Sequence, residues 1–563
     1  MPKQDNPNTY DAIVVGSGIS GGWSAKELTE KGLKTLVLER GRMIKHLDYP
    51  NATLDDWDMP NRGALPAEVM DEYDKQNRTG WIGYTNKDNF VNDKENPYDE
   101  DKRFDWIRGY QVGGRSLTWG RHTYRWSELD FEANAKEGIG IDWPIRYKDI
   151  APWYDYVERY VGISGEALGL PQLPDSQFLP PMELNCVEQH LRDSLTEQFG
   201  GRAMTSGRVT NLTVAHNGRG PCQYRNRCDR GCPFAGYFSS VSSTLPDAEK
   251  TGNLTIREHS VVHSVIYDDQ TGKAKGVRVI DAQTKATTEY FARVIFLNAS
   301  AIGSTAILMN SISDRYPNGL GNDSDQLGRN LMDHHYRVGA MGFIDGFEDK
   351  YYKGRRPNGI YIPRFRNLDD ASKRDDYVRG FGYQGGASRD NWGQSTYADG
   401  YGAEYKEKLM RPGPWHMDLV GFGEMLPDPS NRMYLNEDKT DPFGLPMVTF
   451  DCEFKENELT MRKDMKDSAG EMLEKAGFKN ISTFDDLGAP GLGIHEMGTA
   501  RMGNDPKTAV LNKWNQVHGA ENVFVTDGAC MTSSACQNPS LTYMALTARA
   551  ANYAIDQLKK GNL

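Results

Sequence analysis

Short uninterrupted apolar runs recur along the chain, each followed by small residues and then by a helical pattern. The first is residues 12–15, with a glycine-rich turn behind it and a helix opening at residues 23–28; Thr35–Leu38 is the next. The plan returns at 292–311, "ARVIFLNASAIGSTAILMNS", and at 522–555, "NVFVTDGACMTSSACQNPSLTYMALTARAANYAI", where a short strand passes through a loop into a long helix. Strands that are apolar throughout, rather than alternating, are buried on both faces, as in a parallel sheet between helices. The pattern predicts an α/β fold. Between these units, residues 106–126, "WIRGYQVGGRSLTWGRHTYRW", form a glycine-rich turn set with Trp and Arg. Small residues at each strand-to-helix junction let a large planar ligand lie against the backbone.

The 563 residues exceed what one hydrophobic core fills, so two domains are expected. A net charge of −12, from 66 basic and 78 acidic residues, speaks against a nucleic-acid partner. No run of eighteen apolar residues occurs, which argues against a transmembrane helix. The opening "MPKQDNPNTYDAIVVGSG" passes from a polar lead straight into the first strand. It lacks the basic-then-apolar order of a signal peptide, a cytoplasmic pattern.

Gly16-x-Gly18-x-x-Gly21 lies between the first strand and the first helix. Gly16 allows the tight turn, Gly18 lets backbone approach a pyrophosphate, and Gly21 lets helix and strand pack closely. The helix N-terminus offers free N–H groups to phosphate. Glu39, at the end of the second strand, can accept hydrogen bonds from both ribose hydroxyls and would repel a 2′-phosphate. The motif fits NAD or FAD alike.

Of seven cysteines, Cys186, Cys452, Cys530 and Cys536 are scattered and suggest no disulfide framework. The other three, Cys222, Cys228 and Cys232, stand in "CQYRNRCDRGCP" with spacing C-x5-C-x3-C. A structural zinc takes four ligands and a disulfide two. Three thiolates leave open an iron cluster with one cysteine per iron, zinc with a fourth ligand such as His216, or inert buried thiols.

Over nearly its whole length the chain resembles the glucose-methanol-choline (GMC) oxidoreductases. The resemblance rests on the N-terminal fingerprint, "GGRSLTWG", "GRNLMDH" at 328–334, "HEMGTARMG" at 495–503 and the terminal "TDGAC…QNPSLT". It implies a Rossmann-like FAD-binding domain (residues 1–45, 105–130, 220–340 and 490–563). A second, α+β substrate domain on an antiparallel sheet would take 131–219 and 341–489. It also implies that Gly16, Gly18 and Gly21 face the pyrophosphate, Glu39 the ribose and Val262 the adenine. Gly113, Gly114 and Ser116 would line the flavin, and Asp527 and Gly528 would hold the ribityl-phosphate end. Some relatives attach FAD through a histidine where this chain has Thr118, so non-covalent FAD is expected.

Alcohol oxidation by a flavin needs a base for the hydroxyl proton while hydride moves from carbon to flavin N5, and histidine suits that work near neutrality. His495 matches the family's base and Asn538 the partner that binds the same hydroxyl. His334 and His335 are expected to pack at the edge of the flavin domain. Trp and Tyr mixed with Asn, Gln, Asp and Arg across 350–416 suit a carbohydrate, aromatic faces meeting C–H faces of the ring. The three cysteines resemble those of a bacterial branch containing glucose, gluconate and fructose dehydrogenase large subunits and glucoside 3-dehydrogenases. That likeness implies a [3Fe-4S] cluster, a small subunit with a twin-arginine signal, co-export to the periplasm and a cytochrome-type acceptor. Oxidation at C3 of a pyranoside is favoured. The rivals are C1 or gluconate-type dehydrogenation, an O2-using pyranose oxidase, and a non-catalytic electron-transfer subunit.

Overall fold

A computed structural model describes residues 7–351, 354, 356–390 and 399–563. The apolar runs from both ends and the middle of the chain meet in one sheet. Its parallel core runs in the order Ala520–Val525, Thr287–Leu297, Thr9–Val15, Thr35–Leu38, Leu254–Arg257. Val15 lies opposite both Leu297 and Leu38, so the central strand is flanked by apolar neighbours along its length. The helices Ile19–Glu30 and Ser540–Lys560 close one face, Ala25 and Leu28 joining Ala550, Ala551 and Ala554 in a shared core with Val14 and Phe296. The far edge of the sheet is an antiparallel meander of Ser260–Asp268, Lys273–Asp281 and Thr287–Leu297. All parallel strands deliver their C-terminal ends to one rim, where Gly16, Glu39, Asn298 and Asp527 stand. That rim is where open α/β sheets bind ligands.

A second, six-stranded sheet is antiparallel throughout, in the order Lys479–Asp485, His335–Ile344, Trp415–Gly423, Phe381–Arg389, Ile360–Ile362, Thr205–Ser206. The helix Glu456–Lys475 covers it, burying Met461, Met465, Ala469, Met472 and Leu473 at helical spacing against Val338, Ala340 and Leu419. The helix Cys186–Gln198 adds Val187, Leu191 and Leu195 to the same core. The sheet's strand at His335 begins inside the segment that the sequence reading gave to the flavin half.

Of the aromatic side chains expected to meet a sugar, Tyr383 and Trp415 lie inside this second core, whereas Tyr351 and Tyr401 are exposed. Tyr361, Tyr383 and Trp415 are buried; the Tyr383 hydroxyl donates to the Met465 carbonyl and the Trp415 ring N–H to Phe347. Strand alternation turns Tyr383 and Trp415 onto the covering helices, whereas Tyr361 faces the other side of the sheet, stacked on Tyr124 at 4.0 Å. Residues 391–398, including Trp392 and Tyr397, and positions 352, 353 and 355 lie outside the described residues. Among the described residues no helix is long and apolar enough to cross a membrane.

Candidate active site

One cavity of about 1460 Å³ runs from the rim of the parallel sheet to the face of the antiparallel one. It exceeds the roughly 300–1,000 Å³ of ordinary small-ligand pockets, leaving room for a dinucleotide and a second molecule. At one end lies the glycine turn. Gly16 has φ +91°, and a Cβ there would stand 2.3 Å from the Asn298 carbonyl oxygen; one on Gly21 would stand 2.0 Å from that of Gly16. Gly18 faces open space, with nothing within 4 Å of the equivalent position. No side chain caps the helix that begins at Ile19, so its first N–H groups have no intrahelical partner. These features fit a pyrophosphate lying against bare backbone.

Around this turn the other cradle residues interlock. Glu39 accepts from Ser17 N at 3.2 Å, Ser17 Oγ at 2.5 Å and Gly41 N at 3.1 Å, and burial raises its carboxyl. Gly113 donates its N–H to Ser17 Oγ at 3.0 Å, which presses the Gly113–Gly114 turn onto the fingerprint. Ser116 donates to the Gly113 carbonyl at 2.6 Å. Thr118 follows that turn on the cavity wall, and Val262 borders the cavity from the antiparallel meander. Asp527 accepts from Ser304 Oγ at 2.5 Å and Ala529 N at 3.0 Å; burial pushes it up to about 6. Gly528 leaves no room for a Cβ, which would meet the Glu496 carbonyl oxygen at 2.2 Å.

The opposite wall is made of side chains. His495 Nε2 lies 3.4 Å from Asn538 Nδ2, and Asn538 Oδ1 accepts from Gln384 Nε2 at 2.7 Å. His495 Nδ1 lies 2.7 Å from His334 Nδ1, the rings edge to face at 86°, and His334 Nε2–H donates to the Ala535 carbonyl. Burial, then the charges of His334, Arg115 and His122, hold the His495 imidazole well below its ordinary value. Arg115 is itself paired bidentately with Glu496, at 3.0 and 2.8 Å.

The loop carrying His495 is strained and clamped. Ile494 has φ +62°, an unfavourable conformation for a β-branched residue. Asp333 accepts three backbone N–H groups from this loop: Gly491 and Gly493 at 2.8 Å and His495 at 3.0 Å. Burial and the nearby Glu496 push Asp333 up to about 7, against the opposing pull of those donors. Backbone pairing of Met332 with Met497 continues the strap.

His334 therefore stands at the site, not at the edge of the flavin domain. His335 points the other way: it is fully buried, and its ring packs on Gly423 and stands edge to face with Phe454. Sequence reasoning assigned no individual role to Asp333 or Gln384, though both lie in segments it used. The signal for Asp333 was its place in "GRNLMDH", beside His334 and directly before a strand.

Cys222, Cys228 and Cys232 border the same cavity, partly exposed, whereas Cys452, Cys530 and Cys536 are buried. Tyr224 N donates to Cys222 Sγ at 3.4 Å, and Gly236 N to Cys232 Sγ at 3.4 Å. Burial raises both thiols, and the neighbouring Cys228 raises each further. Among the described residues no three His, Cys, Asp or Glu side chains converge on one ion. His216 turns its Nε2–H onto the Arg159 carbonyl at 2.9 Å and does not border the cavity, which removes it as a fourth ligand for zinc.

The dinucleotide cradle and the histidine–asparagine pair share one cavity, an arrangement that can set a substrate hydroxyl beside a bound dinucleotide. Family models described as GMC oxidoreductase match residues 10–336 and 427–547, and the chain belongs to that family. It is 28% identical over 558 residues to the 2-methyl-1,2-propanediol dehydrogenase of Mycolicibacterium austroafricanum, covering 96% of this chain and 94% of the relative. It is 25% identical to the fructose dehydrogenase large subunit of Gluconobacter japonicus, over 98% of each. The solved formate oxidase of Aspergillus oryzae shares the fold with a TM-score of 0.63 at 16% identity, covering 99% of this chain and 100% of that one. Membership decides what the glycine motif left open: the dinucleotide is FAD.

Proposed function

We propose that the protein oxidises a hydroxyl-bearing carbon of a sugar or glycoside, with C3 of a pyranoside, giving a 3-keto sugar, as the favoured site. One observation carries the reading: His495 Nε2 and Asn538 Nδ2, 3.4 Å apart, face the cavity where a single hydroxyl can touch both. His495 takes the hydroxyl proton at Nε2, and Asn538 donates to the same oxygen. The polar wall around them, with Arg356, Asn358, Gln384, Ser388 and Asp418, suits a polyhydroxylated substrate. FAD, when bound, supplies the acceptor for the hydrogen that leaves the carbon. Gly16, Gly18 and Gly21 would hold its pyrophosphate, Glu39 its ribose, Val262 its adenine, Gly113, Gly114 and Ser116 its ring, and Asp527 and Gly528 its ribityl end. Thr118 offers no ring nitrogen, so attachment is non-covalent.

Cys222, Cys228 and Cys232 would hold a [3Fe-4S] cluster, which supplies an electron exit when bound. Three partly exposed thiols on one wall, two of them accepting backbone N–H groups, support this reading. A cluster takes one thiolate per iron and does not require all sulfurs to meet at one ion. The relative named as a large subunit supports a small-subunit partner. That partner would bring a twin-arginine signal for co-export to the periplasm, and a cytochrome-type protein would accept the electrons.

Mass analysis of the products from methyl glucoside and from glucose tests the substrate reading. A methyl glucoside product lighter by two hydrogens is expected, because a glycoside has no free anomeric hydroxyl. Turnover of glucose alone, to its C1 product, would contradict it. About three irons per FAD in anaerobically purified protein are expected; zinc, or no iron, would end the cluster reading.

A further inference from the structure

We propose that His334 is a positioning residue that fixes the tautomer of His495, leaving Nε2 of His495 bare to receive the substrate proton. The proposal rests on the reading of His495 as the base and extends it to the hydrogen-bond chain behind the ring.

The chain runs in one direction only. The Ala535 carbonyl can only accept, so His334 must carry its hydrogen on Nε2. Burial pushes His334 down to about 4, so near neutral pH it holds a single ring hydrogen. Its Nδ1 is then a lone pair. The ring nitrogen 2.7 Å away, His495 Nδ1, must therefore be the donor. A neutral His495 with hydrogen on Nδ1 has none on Nε2.

The other side of the ring agrees independently. Gln384 Nε2 donates to Asn538 Oδ1 at 2.7 Å, which turns the Asn538 amide so that its NH2 group faces His495 Nε2 at 3.4 Å. A donor there requires an acceptor. Both neighbours of His495 thus select the same tautomer, one by accepting from Nδ1 and one by donating toward Nε2. When Nε2 takes the substrate proton, the imidazolium keeps its Nδ1–H bond to a neutral acceptor, and no proton need leave the pair. The charged groups facing the pair are few: Arg115, neutralised by Glu496, and Asp333, whose oxygens are committed to the backbone of the 491–495 loop; His122, the other titratable neighbour, is held neutral by burial, down to about 3.

The test is made on FAD-loaded, [15N]histidine-labelled protein, with the His495 signals identified by their disappearance in His495→Gln. A pyrrole-type shift at Nδ1 and a pyridine-type shift at Nε2 are expected. The reverse pattern, or an averaged pair, overturns the proposal without recourse to any variant at 334. In His334→Leu, which removes the acceptor, the single tautomer should give way to a mixture. Flavin reduction should slow by about 10–100-fold, the usual effect of losing an orienting partner, with the sugar KM little changed. His334→Asn, whose amide oxygen can accept in place of Nδ1, should recover most of the rate and the single tautomer. Native-rate flavin reduction in His334→Leu, while His495→Ala is slow, overturns the positioning role and leaves the base standing. A His495→Ala variant as fast as the native protein removes the base reading itself.

Discussion

The dinucleotide cradle and the catalytic wall share one cavity but are made of different material. The cradle is backbone: a turn at Gly16, a bare helix end at Gly18, a close approach at Gly21, all within one strand–turn–helix–strand unit that closes at Glu39. The wall is side chains from distant segments: Gln384 within one strand, His495 on a strained loop and Asn538 before the last long helix, with His334, before another strand, behind His495. Backbone sites demand particular residues at fixed local spacing. Side-chain sites demand only that the fold bring the right groups together.

If that distinction is real, damage to the two regions should look different. The largest effect is expected from Gly21→Val, whose Cβ would stand 2.0 Å from the Gly16 carbonyl oxygen. That variant should purify without flavin, read as absorbance per chain; native flavin content would break the comparison at its first step.

His495→Ala should do the opposite. FAD stays bound, while flavin reduction by sugar slows by about 10²–10⁴-fold, the usual contribution of a general base. A smaller signature is the pH dependence. Because the His495 imidazole is held well below its ordinary value of 6.5, the ring is neutral across the neutral range. Protonation, which would disable the base, sets in only as pH falls through that lowered value. Flavin reduction should therefore stay level from about pH 8 to about pH 6.5 and decline only in more acidic solution. A limb centred near 6.5 would place the ring in water-like surroundings.

The smallest effect should come from His335→Leu. His335 is adjacent to His334 in sequence but buried against Gly423 and Phe454. Replacing such a group with an apolar one of similar size should change stability by no more than about 1 kcal/mol and leave flavin reduction alone. A rate loss matching His334→Leu would erase the difference between the two neighbours.

Much of the cradle's geometry was readable from the sequence because its requirements are local: glycine at a positive φ, an acid at a strand end, an apolar run buried on both faces. The α/β class followed from the same runs. The wall was only half readable. His495 and Asn538 came from motif likeness, whereas His334 was placed at the edge because nothing local tells which of two adjacent histidines faces inward. Gln384 sat unremarked in "GYQGG", since its role depends on Asn538 across 154 positions. Some of the aromatic residues read as sugar platforms were misplaced for the same reason. Composition could not reveal that alternation turns Tyr383 and Trp415 toward the core while Tyr351 stays exposed at the cavity.

The most direct measurement mixes the FAD-loaded protein anaerobically with methyl glucoside and follows the flavin absorbance. The native protein should bleach fully, and His495→Ala should bleach far more slowly with its FAD still bound. A native flavin that dithionite bleaches but no sugar or glycoside does would contradict the account.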